Sequence, residues 1–369
     1  FVVDKPNWAY ENIVKTWLPY LLERYSCYII YQEDYFIKKA NNHKPLQKII
    51  YNCYAEIKNM MGRKDISKLH SDGYFFKDKN FKVYELPSTN WDKKLLISPP
   101  SHFNIIIEMA YYFQYTAYIP FSADIKLVGL YTDSFPHEGP TFDIKTNTTT
   151  SNLSREEFYL KYLKSYDGII VGNLNLYDDY KTLTNKLVFA NGIYRQDDFK
   201  VNTEIGNKDT LTIGWTGNPN RPMKGFREVI EPAVEQVIAT GRKIKLKTQF
   251  SGSYDELIRF YHDVDLIVIA SEADTGPSLF SEACLSGIPS ISTRIGFPKM
   301  VIKDNVNGLF VQRDIREMQE AMIILYDNRE KLKEFSIRIK KDYLALLDNK
   351  ISIDHITEFI SQLNNSKTK

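Results

Sequence analysis

Residues 266–293 read LIVIASEADTGPSLFSEACLSGIPSIST, and this stretch decides the fold. The apolar run Leu266 to Ala270 has the length of a buried strand. An acidic turn containing Gly276 and Pro277 follows, then a short helical pattern through Leu279, Glu282, Ala283 and Leu285. Gly287-Ile288-Pro289 leads into a second apolar run. The order is strand, loop, helix, strand, the repeating unit of a parallel sheet. In an open parallel sheet, ligands bind at the loop leaving a strand's carboxyl end. The N-terminus of the next helix offers free N–H groups and a partial positive charge to a phosphate. Asp274 and Glu282 stand on this one segment, and a carboxylate inside such a helix can accept both hydroxyls of a ribose. The stretch has the parts needed to hold a nucleoside diphosphate.

The same alternation extends to both sides. Expected strands at Leu211–Trp215, Ile244–Thr248, Leu266–Ile269, Ser290–Ser292 and Leu309–Val311 alternate with helices near 226–239, 254–261, 278–286 and 314–326. Upstream, Phe1–Val3, Cys27–Tyr31, Phe81–Leu86, Phe103–Ile107, Leu127–Tyr131, Gly168–Val171 and Leu187–Phe189 read as strands. A helix is expected after the turn Asp4-Lys5-Pro6-Asn7, and residues 35–70 look helical in part. Ser154-Arg155-Glu156-Glu157 is a capping box that opens a helix to about Ser165. The polar stretch Val201–Lys208 reads as a linker, and helical patterns at 330–348 and 353–363 close the chain. The expectation is an α/β protein with two doubly wound parallel sheets.

A second set of ligand groups lies at the end of the strand Leu211–Trp215. Gly214-Trp215-Thr216-Gly217-Asn218 ends it, and Lys224-Gly225-Phe226 opens the next helix. Gly217 and Gly225 let the backbone come close to a ligand. Arg221 and Lys224 put cations where a diphosphate would sit; for Arg221 a solvated turn is an equally good reading.

Composition narrows the class. Lys plus Arg number 48 and Asp plus Glu 46, so the balance gives no general affinity for nucleic acid. Three cysteines, Cys27, Cys53 and Cys284, sit in apolar patterns and read as buried free thiols of a reducing compartment. The six histidines are scattered, and no metal-ligand spacing is expected. No secretory signal and no bilayer-length apolar run stand in the sequence, so a cytoplasmic protein is expected. Residues 38–64 combine Lys38, Lys39, Lys44, Lys48, Lys58, Arg63 and Lys64 with Ile49, Ile50, Tyr51, Ile57, Met60 and Met61. A solvated helix face is the ordinary reading of such a stretch. Peripheral contact with an anionic inner membrane surface or a lipid-linked glycan is the alternative.

The spacing Asp274-x7-Glu282, followed by Ala283-Cys284-Leu285-Ser286-Gly287-Ile288-Pro289, resembles the retaining glycosyltransferases of family 4. These carry Glu-x7-Glu, then Ala, a small residue, Gly, x, Pro. The first acid here is Asp, one methylene shorter, and Glu272 lies two positions out of register. Tyr254-Asp255-Glu256-Leu257, Tyr261-His262-Asp263-Val264-Asp265, Gly296 and Asn305-x-Asn307-Gly308-Leu309-Phe310 extend the resemblance, which runs over roughly residues 186–345. It implies the GT-B fold, with two Rossmann-like domains facing across a cleft. Residues 1–200 would bind the acceptor, 201–345 the nucleotide sugar, and 346–369 would cross back to the first domain.

The implied reaction transfers a sugar, a hexosyl unit by expectation, from a UDP- or GDP-sugar to a glycan or glycolipid hydroxyl with retention. No cofactor or metal is implied. Glu282 would take the ribose and Asp274 the sugar. Lys224 and Arg221 would face the diphosphate, with Gly217, Asn218 and the helix start Pro277-Ser278-Leu279 around it. Asn218 stands where the family has Arg, which makes Arg221 the candidate replacement. The usual Gly-Gly loop after the first strand is missing, and so is the usual histidine after the fourth. Asp133 and His137 in Leu130–His137 are the catalytic candidates there, although a loop histidine is more often a plain surface residue. Asn191-Gly192-Ile193 matches a family turn, and a positive φ is its ordinary explanation. A non-catalytic nucleotide- or glycan-binding homologue and a nucleotide-sugar epimerase are the competing expectations.

Overall fold

Val2 and Ile30 are buried in one apolar cluster, while Val3, Ile29 and Tyr31 are buried in another. That period of two places the clusters on opposite faces of the same strands, as in a sheet covered on both sides. The computed structural model describes residues 1–38 except 5 and 8, together with 74–76, 82–87, 93–109, 121–131, 142–143, 148–149 and 154–367. Strands β1 (Val2–Val3), β2 (Cys27–Tyr31), β3 (Val83–Leu86), β4 (Leu95–Ile97), β5 (His102–Glu108), β6 (Ser122–Leu130), β7 (Gly168–Val171) and β8 (Leu187–Phe189) form the first sheet. Its order is β8-β7-β6-β5-β1-β2-β3-β4. The pairings from β8 through β2 are all parallel, whereas β3 and β4 pair antiparallel at one edge.

The second sheet is wholly parallel. Strands β9 (Leu211–Thr216), β10 (Ile244–Gln249), β11 (Leu266–Ile269), β12 (Ser290–Ser292) and β13 (Leu309–Phe310) lie in the order β10-β9-β11-β12-β13. All four residues of β11 are buried, as befits a central strand with helices on both faces. The expected helices appear at Glu231–Ala239, Tyr254–Tyr261, Ser278–Leu285 and Ile315–Asp327, the first preceded by a π turn at Phe226–Ile230. Helix Arg329–Leu347 follows, and helix Asn349–Lys367 packs on Ala9–Leu21 and β8. Ser352 Oγ accepts from the Asn191 N–H at 2.9 Å, and His355 meets the Phe189 carbonyl at 2.9 Å.

Several sequence expectations change. The antiparallel edge strand β4 was not foreseen, and β6 begins at Ser122 instead of Leu127. Helices Leu174–Tyr180 and Gly296–Val301 were also missed; Asn173, through its accepting carbonyl, caps the first of them. The capping box at Ser154 is present, but after Phe158 the helix widens into a π turn, Tyr159–Leu163. The stretch Val201–Lys208 is no free linker: Ile205 is buried, and Asn202 donates its side-chain amide to the Val264 carbonyl at 2.8 Å. The Asn191-Gly192 turn has no positive φ. Glycine is required there because a Cβ would stand 2.1 Å from Thr16 Oγ1. Cys27 and Cys284 are buried free thiols. Most of the basic stretch 38–64, Cys53, and both Asp133 and His137 fall outside the described residues. Among the described residues no helix is long and apolar enough to cross a membrane.

Candidate active site

The carboxyl ends of the parallel strands of the two sheets face one another across a cleft of about 620 Å³. Asp4, Tyr10, Asn12 and Tyr131 line it from the first sheet's side, and Arg221, Lys224, Asp274, Ser278 and Glu282 from the second's. The two sides meet directly where Asn173 Nδ2 donates to the Thr275 carbonyl at 3.4 Å. Another hollow, of about 520 Å³ and bordered by Lys164, Lys181 and Lys186, lies at the amino ends of β7 and β8 and shares no residue with the cleft.

Lys224 is placed by glycine. Gly225 has φ 68°, and a Cβ on it would come 2.5 Å from the Ala270 carbonyl oxygen. Only glycine lets the turn after β9 lie flat against the end of β11. The Lys224 ammonium donates to Asp274 Oδ2, joining the two ligand loops by an ion pair whose partners are both mostly shielded. Arg313, which sequence reading passed over, makes a second tie. Its guanidinium donates to the Ala270 carbonyl at 3.0 Å and the Pro222 carbonyl at 2.7 Å, and pairs with Glu272 at 3.2 Å. Glu272 is therefore engaged outside the cleft, and Asp274 is the acid that enters it. No signal in the sequence pointed to Arg313, because its partners are mainly backbone carbonyls.

Glu282 borders the cleft from within helix Ser278–Leu285 yet is only 4 % exposed. Tyr261 donates its hydroxyl to Glu282 Oε2 at 2.6 Å. Burial pushes the Glu282 carboxyl up to about 7, and the tyrosine hydrogen bond pulls the other way. A buried carboxylate so poised gains most from hydroxyl donors that arrive with a ligand.

The other expected donor residues are placed differently. Asn218 is exposed and accepts from the Asn220 N–H at 3.0 Å, closing its own turn. The Gly217 N–H is taken by the Gln249 carbonyl at 3.2 Å. Pro277 is the helix N-cap and Leu279 turns into the core. None of these four is among the cleft-lining residues. The Asp-x-Asp spacing at Asp263 and Asp265 serves structure: Asp263 pairs with Lys247 at 2.9 Å, and Asp265 accepts from the Thr212 N–H at 2.9 Å. Among the described residues, no group of three His, Cys, Asp or Glu side chains is arranged to hold a metal.

On the opposite wall, the turn after β1 carries no glycine. Asn7 takes the left-handed conformation instead, at φ 58°, and its N–H donates to Glu11. Glu11 is buried; Tyr31 donates to it at 2.8 Å, Lys94 pairs with it at 2.6 Å, and Lys15 lies 3.9 Å away. The place where a glycine loop would present a free N–H to an anion is thus filled by the chain's own carboxylate.

Residues 225–342 match the family Glycosyl transferases group 1. This group 1 segment contains Gly225, Asp274 and Glu282 and begins one residue after Lys224. Among solved structures, TarM superposes with a TM-score of 0.54 at 15 % identity, over 78 % of this chain and 65 % of that one. A mutant of S. aureus TarM in complex with Fondaparinux, alpha-GlcNAc-glycerol and UDP gives 0.52 at 16 % identity, over 69 % and 55 %. Sucrose-phosphate synthase from Thermosynechococcus elongatus gives 0.52 at 10 %, over 72 % and 74 %. The chain spans less than two thirds of either TarM chain. These likenesses identify the fold as GT-B. No curated protein matches the sequence.

Proposed function

We propose that this chain is a retaining glycosyltransferase that moves a hexosyl unit from a nucleoside diphosphate sugar to a hydroxyl of a glycan or lipid-linked glycan. One observation carries the reading: the Lys224–Asp274 pair and the buried carboxyl of Glu282 border the same cleft between two facing parallel sheets. Glu282 accepts the ribose hydroxyls, Asp274 contacts the sugar, and Lys224 with Arg221 faces the diphosphate. When the sugar's C1–O bond breaks, its electron pair leaves with the diphosphate, and fixed cations stabilise that growing charge. The acceptor oxygen forms its bond to C1 on the same face, and its proton passes to the departing phosphate oxygen. Protein cations thereby take the place of a divalent metal. UDP bound to S. aureus TarM, a protein of the same fold, favours a uridine donor.

The test is a screen of nucleotide sugars by thermal shift and by slow donor hydrolysis, with and without EDTA. The expected result is stabilisation by one nucleoside diphosphate and EDTA-insensitive hydrolysis of its sugar. Binding without hydrolysis or transfer would point to a non-catalytic homologue, and a new nucleotide sugar as product would point to an epimerase. A strict divalent-metal requirement would overturn the proposed mechanism.

A further inference from the structure

Lys224 ends the short turn Pro222–Lys224, and an ammonium on a flexible stem is only as well placed as the backbone that carries it. Three contacts tie this turn to the end of β11. Gly225 lets it lie against the Ala270 carbonyl, and the Met223 carbonyl accepts from the Glu272 N–H at 2.9 Å. The third contact comes from Arg313, just beyond β13 at the same end of the sheet. Its Nε donates to the Ala270 carbonyl at 3.0 Å and its Nη2 to the Pro222 carbonyl at 2.7 Å. The Pro222 carbonyl also accepts from the Gly225 N–H at 2.9 Å, the bond that closes the turn. Arg313 pairs with Glu272 as well, but that carboxylate is 55 % exposed, so the two carbonyl bonds carry the tie.

We infer that Arg313 is the positioning residue for Lys224, fixing the turn so that the ammonium meets the donor's diphosphate beside Asp274. The inference rests on the transferase reading above and deepens it, since it names what holds the leaving-group cation in place. Arg313 is not among the cleft-lining residues, so it reaches the reaction through the turn alone. Lysine is no substitute here: a guanidinium presents a rigid fork that spans two carbonyls at once, whereas an ammonium is a point charge. A misplacement of about 1 Å costs about a hundredfold in rate. The loss falls on turnover more than on donor binding, because the leaving group's charge grows toward the transition state. The Gly225 contact and the Met223 bond remain when Arg313 is removed, so the turn stays folded and only its placement loosens.

The experiment measures kcat and KM for hydrolysis of the preferred donor in wild type, Lys224→Ala, Arg313→Ala and the double variant. Arg313→Ala is expected to lower kcat by about tenfold to a hundredfold while raising KM by about threefold or less. Once Lys224 is already Ala, the same change is expected to alter kcat by less than about twofold, because its effect runs through that ammonium. Arg313→Lys is expected to be as slow as Arg313→Ala. Wild-type kcat in a folded Arg313→Ala protein would overturn the inference. So would a full further loss in the double variant, which would show that Arg313 acts on something other than Lys224. Restored kcat in Arg313→Lys would overturn it too, by making charge and not placement the cause. If Arg313→Ala melts below the assay temperature, Arg313→Gln, which keeps an amide donor, is put through the same cycle. A wild type that binds no nucleoside diphosphate would remove the transferase reading, and a normal rate in Lys224→Ala would remove the role given to that lysine. These two reference proteins report both results before any Arg313 variant is compared.

Discussion

The two strand-to-helix turns that face each other across the cleft solve the same geometric problem with opposite chemistry. After β9, Gly225 lets the backbone press against the end of β11, and Lys224 borders the cleft in an ion pair with Asp274. After β1, no glycine is used; Asn7 takes the left-handed turn and Glu11 fills the anion position from inside the protein. One turn brings a cation to the cleft, where it pairs with Asp274, and the other is filled by an internal carboxylate. On the proposed function, this contrast would concentrate anion binding on the side of the second sheet.

Breaking the internal arrangement should have the largest effect. Glu11 is 1 % exposed, and its removal strands Lys15, itself 6 % exposed, and Lys94 without their carboxylate. Removing one partner of a buried ion pair costs about 3–5 kcal/mol. Glu11→Ala should therefore lower stability by that order in chemical denaturation. If stability hardly changes, the first turn is not held by its internal carboxylate and the contrast between the turns fails.

The next effect is on the open turn. Lys224→Ala should reduce kcat by about a hundredfold or more, beyond any loss of donor binding, because the leaving group carries more charge in the transition state than in the bound donor. The ion pair makes the roles of Lys224 and Asp274 interdependent, so Asp274→Asn and the double variant complete a mutant cycle. Additive losses in turnover would show that the pair seen here does not operate in the reaction, and a normal Lys224→Ala rate would move the diphosphate site to Arg221 and the Ser278 helix start.

How much of this was legible in the sequence follows from where the determining contacts lie. The second sheet could be read almost strand by strand, because each strand is a short apolar run punctuated by Gly, Pro or a cap. Asp274 and Glu282, which both border the cleft, share one contiguous segment and so could be singled out together. The first sheet was read less well. Its antiparallel edge depends on pairing Glu85 with Leu95, which no local pattern announces. Gly192 looked like a turn residue, whereas its role is to make room for Thr16 on a helix far back in the chain. Arg313 and Glu11 act through partners distant in sequence or through backbone carbonyls, and neither leaves a spacing motif.

A smaller effect tests Glu282. Glu282→Gln should weaken nucleoside diphosphate binding by about tenfold to a hundredfold, the range for losing a hydrogen bond to a charged group. Stability should move the other way. Burial holds Glu282 and Glu108 at about 7, above the ordinary 4.5, so the native chain keeps protons there that the unfolded chain has lost. Stability from these groups is full below about 4.5 and is lost as pH rises toward 7. At pH 8 the Gln variant should melt at or above the wild type while binding nucleotide less well. A variant that melts well below wild type at pH 8 would make Glu282 a structural residue.

The smallest effect separates the carboxyl's position from its charge. Tyr261 is buried, and its hydroxyl donates to Glu282 Oε2 at 2.6 Å. Tyr261→Phe keeps the ring and removes that one hydrogen bond, which normally draws the Glu282 carboxyl downward against desolvation. The carboxyl should then titrate at higher pH. Ionised Glu282 is the better acceptor for ribose hydroxyls, so wild-type nucleotide affinity should rise as pH passes through about 7. In Tyr261→Phe the same rise should come at higher pH, with a loss of about threefold to tenfold at pH 7 that shrinks as the pH is raised. Calorimetric titration between pH 6 and pH 9 reads both curves. A loss that is constant across this range would mean Tyr261 only shapes the cleft, and an unshifted curve would mean that the charge of Glu282 does not govern nucleotide binding.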